Sequence, residues 1–101
     1  MRLLYTPQAI EDLEEISNYI SQSLQNPDAA RHIVSSIAGE AARLKEQPEL
    51  GQLLSAKTGR EIAGRFLVSG KYILIYDIDD AISVLRVIDS RVDYLRMLDF
   101  R

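Results

Sequence analysis

The side chains that could do chemistry in this sequence are concentrated in its second half. They are basic, acidic and phenolic, and the chain has no cysteine and a single histidine. The candidates are Lys57, Arg60, Arg65, Lys71, Arg86, Asp89, Arg91, Asp93 and Tyr94. Groups of these types can neutralise a phosphate, stack on a base or pair with a charged partner. The set therefore favours binding and excludes catalysis by a thiol.

Arg86 is the sharpest of these candidates because it interrupts an apolar strand pattern. A cation with apolar neighbours is costly unless it is paired or opens onto a groove. Two interpretations stay open, an ion pair with Asp77 or Asp89, or a functional position in a groove. Arg91 and Tyr94 follow the same strand, and in a helical turn they would project side by side. They would then either contact a ligand or cap the sheet.

Other kinds of catalytic site find little support in the sequence. His32 is the only histidine, and we expect it to be a solvated helix residue. No nucleophile elbow, GxGxxG or Walker pattern occurs, and the ligands for a metal site are lacking, so we expect no metal and no cofactor. The acidic row of the first helix is expected to be a solvated face rather than catalytic carboxylates. It consists of Glu11, Asp12, Glu14 and Glu15.

The overall composition bounds the class of protein. With 101 residues, we expect one domain over residues 1–101, and 47% apolar and 27% charged residues are typical of a globular chain. A net charge of −3 argues against a protein that coats nucleic acid by bulk electrostatics. No apolar run is long enough for a signal peptide or a membrane span, so we expect a cytoplasmic location.

The positioning elements begin with two helices. Thr6 and Pro7 supply an N-cap hydroxyl and a proline for the first helical position, and apolar residues recur at helical spacing to about Leu24. Asn26 caps a second amphipathic helix, which ends before Pro48. Because the connection is so short, the two helices must form an antiparallel hairpin.

The remaining elements are strands. A short opening strand is expected at residues 2–5, an irregular stretch at 51–59, and one or two helical turns at 91–98. Between them, β-branched and aromatic runs predict an antiparallel meander with strands at 61–68, 71–78 and 81–88. The middle strand is apolar on both faces, so it should be central, covered by the helical hairpin on one side and only partly open on the other. We therefore predict an α+β fold, with an N-terminal antiparallel helical hairpin packed on a small, mainly antiparallel sheet.

This order of elements, together with particular residues, resembles the RelE/ParE superfamily of toxins from type II toxin–antitoxin (plasmid stabilisation) systems. The resemblance covers nearly the whole chain. It rests on Thr6-Pro7-Gln8-Ala9-Ile10-Glu11-Asp12-Leu13, Asn26-Pro27-Asp28-Ala29-Ala30, Pro48-Glu49-Leu50-Gly51, Arg65-Phe66-Leu67-Val68, Gly70-Lys71-Tyr72-Ile73-Leu74-Ile75-Tyr76, Val84-Leu85-Arg86-Val87-Ile88, and then Arg91, Asp93 and Tyr94. It implies a growth-inhibiting toxin held in a hetero-oligomeric complex by a cognate antitoxin.

The resemblance also implies one of two targets. RelE-like members cut messenger RNA on the ribosome, and ParE-like members block DNA gyrase. Where many relatives carry histidine after the last strand, this chain has Asp89, which is a poor general acid at neutral pH. We therefore favour the non-catalytic, ParE-like interpretation over the ribonuclease. A non-toxic interaction module with the same fold is the third interpretation.

The resemblance assigns residues to these interpretations. If the chain is a ribonuclease, Arg65, Arg91 and Tyr94 would be catalytic. The set expected to bind the target or the antitoxin is Arg60, Arg65, Lys71, Arg86, Asp89, Arg91 and Tyr94.

Overall fold

The computed structural model describes residues 1–59 and 63–91, with the backbone alone at 57 and 58. The elements are β1 (Leu3–Tyr5), α1 (Pro7–Asn18), α2 (Pro27–Ala42), β2 (Gln52–Leu53), α3 (Leu54–Thr58), β3 (Arg65–Ser69), β4 (Tyr72–Ile78) and β5 (Ile82–Asp89). A π-helical turn, Tyr19–Ser23, extends α1, and two 3-10 turns, Arg43–Lys45 and Pro48–Leu50, follow α2. The predicted α+β fold is confirmed.

Both helices of the hairpin start as their sequences predict. The Thr6 side chain accepts a hydrogen bond from the Ala9 N–H (3.1 Å), and the Asn26 side chain accepts one from the Ala29 N–H (3.1 Å). Each cap satisfies a backbone donor that has no partner within the helix. The α-helical part of α1 ends at Asn18, earlier than predicted, because the chain then widens into the π-helical turn.

The sheet has five strands in the order β1-β5-β4-β3-β2. The predicted meander β3-β4-β5 is antiparallel, while β1 runs parallel to β5. Central strand β4 is buried on both faces. The face under the hairpin contributes to a core of Ala9, Ile37, Ala41, Leu74, Val84 and Val87. The opposite face contributes to a second cluster of Leu54, Phe66, Ile73, Ile75 and Ile88.

The stretch expected to be irregular contains two short elements that the sequence did not predict. Strand β2 has two residues and α3 has five, so neither is long enough to display a hydrophobic period. The first residues of the predicted strand 61–68 and most of the predicted turn 91–98 lie outside the described residues. No helix in the described part of the chain is long and apolar enough to cross a membrane.

Candidate functional site

The C-terminal half of β5 is bordered by the start of α1. Strand β1 pairs only with Ile82–Val84, so another group must satisfy the edge beyond that stretch. The Thr6 hydroxyl donates to the Leu85 carbonyl oxygen (3.0 Å), and the Asp12 carboxylate accepts from the Val87 N–H (2.9 Å). A buried backbone donor without a partner would be costly. Asp12 therefore acts where a neighbouring strand would otherwise supply an acceptor.

The same carboxylate binds Arg86. The Arg86 Nε lies 2.8 Å from one Asp12 oxygen and an Nη lies 3.1 Å from the other. Asp12 is only 6% exposed, whereas its acidic neighbours on α1 stay exposed, so the prediction of a solvated Asp12 is wrong. Of the two interpretations of Arg86, the ion pair is present, but its partner is Asp12 and not Asp77 or Asp89, because α1 turns this carboxylate toward β5. The hydrogen bond raises the pKa of Arg86.

A second arginine–carboxylate pair lies at the end of β5. Arg91 donates to the two Asp89 oxygens from Nη (2.6 Å) and Nε (3.0 Å), and its backbone N–H adds a third bond (2.9 Å). Hydrogen bonds from Arg91 lower the pKa of Asp89 from 3.8 to about 2. Asp89 is therefore ionised at neutral pH, and it holds a guanidinium at the surface.

Two tyrosines and a lysine flank this pair. Tyr72 begins β4 directly opposite Asp89, Tyr19 begins the π-helical turn, and Lys71 lies between β3 and β4. Tyr19, Tyr72 and Arg91 line two adjoining cavities of about 400 and 290 Å³, and Lys71 lines the smaller one. Arg86 and Asp89 line the larger one. The tyrosines thus join the candidate cations into one site.

The ionisation of these groups indicates which chemistry the site can perform. Proton transfer is most efficient when the pKa of the acid or base lies near the working pH. The pKa of Asp89 is lowered to about 2, and burial followed by the charge of Asp89 raises the pKa of Tyr72. Both shifts lead away from neutrality. Asp89 and Tyr72 are therefore less suited to proton transfer near neutral pH, while the cations and aromatic rings beside them can contact anionic, planar or apolar surfaces.

Sequence reasoning missed Tyr19 and Tyr72 as site residues. Tyr72 follows Lys71 directly, so its place at the start of the strand could have indicated a side chain at the same sheet end. Tyr19 gave a weaker signal, since its position depends on the π-helical turn that the helical period does not predict.

Arg65 lies at the other end of the sheet. It pairs in register with Tyr76, whereas Asp89 pairs with Tyr72. Four residues of β4 separate the two positions, which is roughly 13 Å at the usual rise of a strand. Arg65 and Arg91 therefore lie toward opposite ends of the sheet.

Arg65 instead helps to hold the turn between α2 and β2. Its Nη donates to the Gly51 carbonyl oxygen (2.8 Å). The buried Tyr76 hydroxyl accepts from the Gly51 N–H (2.8 Å) and donates to the Pro48 carbonyl oxygen (2.8 Å). A Cβ at position 51 would lie 2.5 Å from the Phe66 carbonyl oxygen, so only glycine fits there. At this end of the sheet, these hydrogen bonds hold the turn in place.

The predicted site residues are thus divided. The structure brings Lys71, Asp89 and Arg91 together, places Arg86 in the adjoining cavity and leaves Arg65 apart. Arg60 and Tyr94 lie outside the described residues. His32 is exposed on α2, as predicted. Within residues 1–59 and 63–91, no group of three or more His, Cys, Asp or Glu side chains is arranged to hold a metal ion.

Comparison with known protein families gives a match over most of the chain. The model of the ParE toxin of the type II toxin–antitoxin system parDE matches residues 3–94. The protein named "Putative toxin Y4kP" of Sinorhizobium fredii (strain NBRC 101917 / NGR234) is 30% identical over 97 residues, which are 96% of each chain. A chain of the solved chromosomal ParDE TA system from P. aeruginosa has the same fold, with a TM-score of 0.73, 22% identity and coverage of 88% of this chain and 95% of that one. The chain therefore belongs to the ParE toxin family of type II toxin–antitoxin systems.

Proposed function

We propose that this toxin is a non-catalytic inhibitor of DNA gyrase that a cognate antitoxin neutralises. The observation that carries the proposal is the cluster at the end of β5, where Lys71, Arg91, Tyr19 and Tyr72 line two adjoining cavities. Asp89 and Tyr72 have pKa values shifted away from neutrality, in opposite directions. Such a site can contact a macromolecular target through arginine, lysine and tyrosine side chains, which are common at interfaces.

A ribosome-dependent mRNA endoribonuclease is the second candidate, because Arg86 and Arg91 share a cavity with two tyrosines. Arginines and aromatic rings of this kind can hold phosphates and unstacked bases. Attack by a ribose 2′-hydroxyl would in addition require a proton acceptor. Arg65 is bound to Gly51 at the far sheet end, so it does not support this candidate.

For the antitoxin, we propose a docking site on the outer face of the helical hairpin. A cavity of about 460 Å³ lies between α1 and α2, and its apolar lining is Ile10, Leu13, Val34 and Ala38. Ile10 is 47% exposed and shares this groove with three other apolar side chains, and contiguous exposed apolar patches mark interaction sites. An amphipathic helix could fill such a groove with its apolar face. Glu14 and Arg31 at the rim offer both signs of charge to that helix.

The target is tested by two assays on one purified preparation of the toxin. We expect inhibition of gyrase supercoiling, or accumulation of cleaved DNA, without cleavage of ribosome-bound messenger RNA. Cleavage of message in translating ribosomes with unaffected gyrase would instead establish the ribonuclease. In cells, co-expression of the antitoxin gene is expected to restore growth. The toxin should then be purified as a complex with the antitoxin. A chain that is harmless alone and purifies as a monomer without a partner would indicate the non-toxic interaction module.

A further inference from the structure

The smaller of the two cavities at the end of β5 has the features of a binding pocket. It measures about 290 Å³ and lies between the π-helical turn, the start of α2 and the beginning of β4. Ile20, Leu24 and Ile33 supply apolar walls, and Tyr19 and Tyr72 supply aromatic ones. We call it the tyrosine pocket. Its size and lining suit one apolar side chain of a ligand.

Two cations lie on the same pocket. Lys71 forms no ion pair with any residue in the described ranges, although Asp89 is near enough to interact with it electrostatically. Arg91 is already bound to Asp89, so its charge is largely neutralised. Counted over the described residues, Lys71 is therefore the one uncompensated positive charge beside an apolar interior. This favours a ligand with a single negative charge.

The surroundings disfavour a polyanion. Glu15 lines the adjoining cavity, and Glu11 and Glu14 are exposed on the same helix. A nucleic acid strand would bring several phosphates close to these carboxylates, and the chain carries a net charge of −3. One peptide carboxylate can approach Lys71 while the rest of the peptide stays away from these glutamates. The charge pattern thus selects an acidic peptide over a nucleic acid.

Two hydroxyl groups of the pocket have no hydrogen-bond partner among the described residues. They belong to Tyr19 and Tyr72, and Tyr72 is only partly exposed. A partly buried polar group normally has a partner. A peptide carboxylate or backbone carbonyl entering the pocket would provide one. Tyr72 would then donate a hydrogen bond to the anion that Lys71 attracts.

We propose that the tyrosine pocket binds an acidic peptide segment, with one carboxylate on Lys71 and Tyr72 and an adjacent apolar side chain between the tyrosines. The segment belongs to the antitoxin, which is the part of this inference that rests on the proposed function. The pocket lies at the sheet end and is distinct from the groove on the outer hairpin face. The antitoxin would thus be held at two places, by a helix on the hairpin and by an acidic segment beside Lys71.

The pocket is tested with isotope-labelled toxin and three small probes followed by NMR. The probes are acetyl-Leu-Glu-Leu-amide, the matched acetyl-Leu-Gln-Leu-amide and a thymidine dinucleotide. We expect saturable shifts of the Ile20, Ile33 and Tyr72 backbone amides with the glutamate peptide, and binding roughly fivefold weaker with the glutamine peptide, as for one exposed charge pair. Lys71→Gln should abolish this preference. Lys45→Gln, an exposed lysine at the other sheet end, should preserve it.

Other outcomes of this experiment would contradict the proposal. Shifts elsewhere, no saturation at millimolar concentrations, or equal binding of both peptides would overturn it. Tighter binding of the dinucleotide would reassign the pocket to nucleic acid. The measurement needs neither antitoxin nor target, so it separates the two claims. If the chain binds the probe but is harmless in cells, the peptide-binding pocket stands and the toxin function is rejected. If the chain is toxic but does not bind the probe, the toxin function stands and the pocket is rejected.

Discussion

Two arginine–carboxylate pairs involve β5 or the residues directly after it. Their arginines are close together in the chain, but the environments of the two pairs are opposite. Arg86 reaches Asp12, 74 residues away, and the two side chains are 28% and 7% exposed. Arg91 reaches Asp89, two residues away, and its own side chain is 76% exposed. The first pair joins two elements of the fold. The second joins neighbours on one chain segment.

This difference indicates what each arginine can do. Removing one partner of a buried pair leaves an uncompensated charge in a poorly solvated place, so that pair must stay closed. An exposed pair contributes little to stability, because water and salt screen it. Arg91 can therefore exchange its carboxylate for one of a partner, whereas Arg86 is committed to Asp12. We infer that the buried pair positions the site and that the exposed pair takes part in binding.

The largest expected effect is on the buried pair. Asp12→Ala removes the acceptor of both the Arg86 guanidinium and the Val87 N–H. We expect the free energy of unfolding to fall by about 3–5 kcal/mol, measured by chemical denaturation. Glu15→Ala, on the same helix but exposed, is the matched control and should change it by less than about 0.5 kcal/mol. Equal effects of the two would remove the distinction between buried and solvated carboxylates.

Asp12→Asn sharpens the interpretation of that loss. The amide oxygen still accepts from the Val87 N–H, but the charge that compensates Arg86 is gone. The free energy of unfolding of Asp12→Asn should therefore lie between that of Asp12→Ala and that of the wild type. If asparagine is as destabilising as alanine, the charge pair carries the whole effect and the edge hydrogen bond carries none.

The exposed pair should give the opposite pattern. Arg91→Gln is expected to leave the denaturation midpoint nearly unchanged, because the side chain is 76% exposed. The concentration for half-maximal inhibition of the target should rise about tenfold, as for the loss of one charge-assisted hydrogen bond at an interface. Arg43→Gln, an exposed arginine paired with Glu40 on the helical side, is the control and should leave inhibition unchanged. A strong loss of stability in Arg91→Gln would make this pair structural as well.

Sequence reasoning predicts the local patterns of this fold, but not the contacts between distant elements. The caps at Thr6 and Asn26 and the alternation of β4 are local patterns, so the hairpin and the meander could be predicted from them. The partner of Arg86 could not, because Asp77 and Asp89 are nearer in the sequence and only the packing of α1 against β5 brings Asp12 to it. The hydrogen bond of Arg65 could not be predicted either. Its type suggested a ligand for phosphate, and only the register that places it beside Tyr76 brings its guanidinium to the Gly51 carbonyl oxygen.

The smallest expected effect concerns the acid titration of Asp89. Its pKa of about 2 lies below the ordinary 3.8 because Arg91 binds the ionised carboxylate. The pair therefore favours folding fully above about pH 4, and this contribution is lost as the pH falls toward 2. NMR titration of the Asp89 carboxyl should give a value near 2 in the wild type and one closer to 3.8 in Arg91→Gln. A value near 3.8 already in the wild type would mean that the pair is open in solution, and Arg91 would then be free for a partner without any exchange.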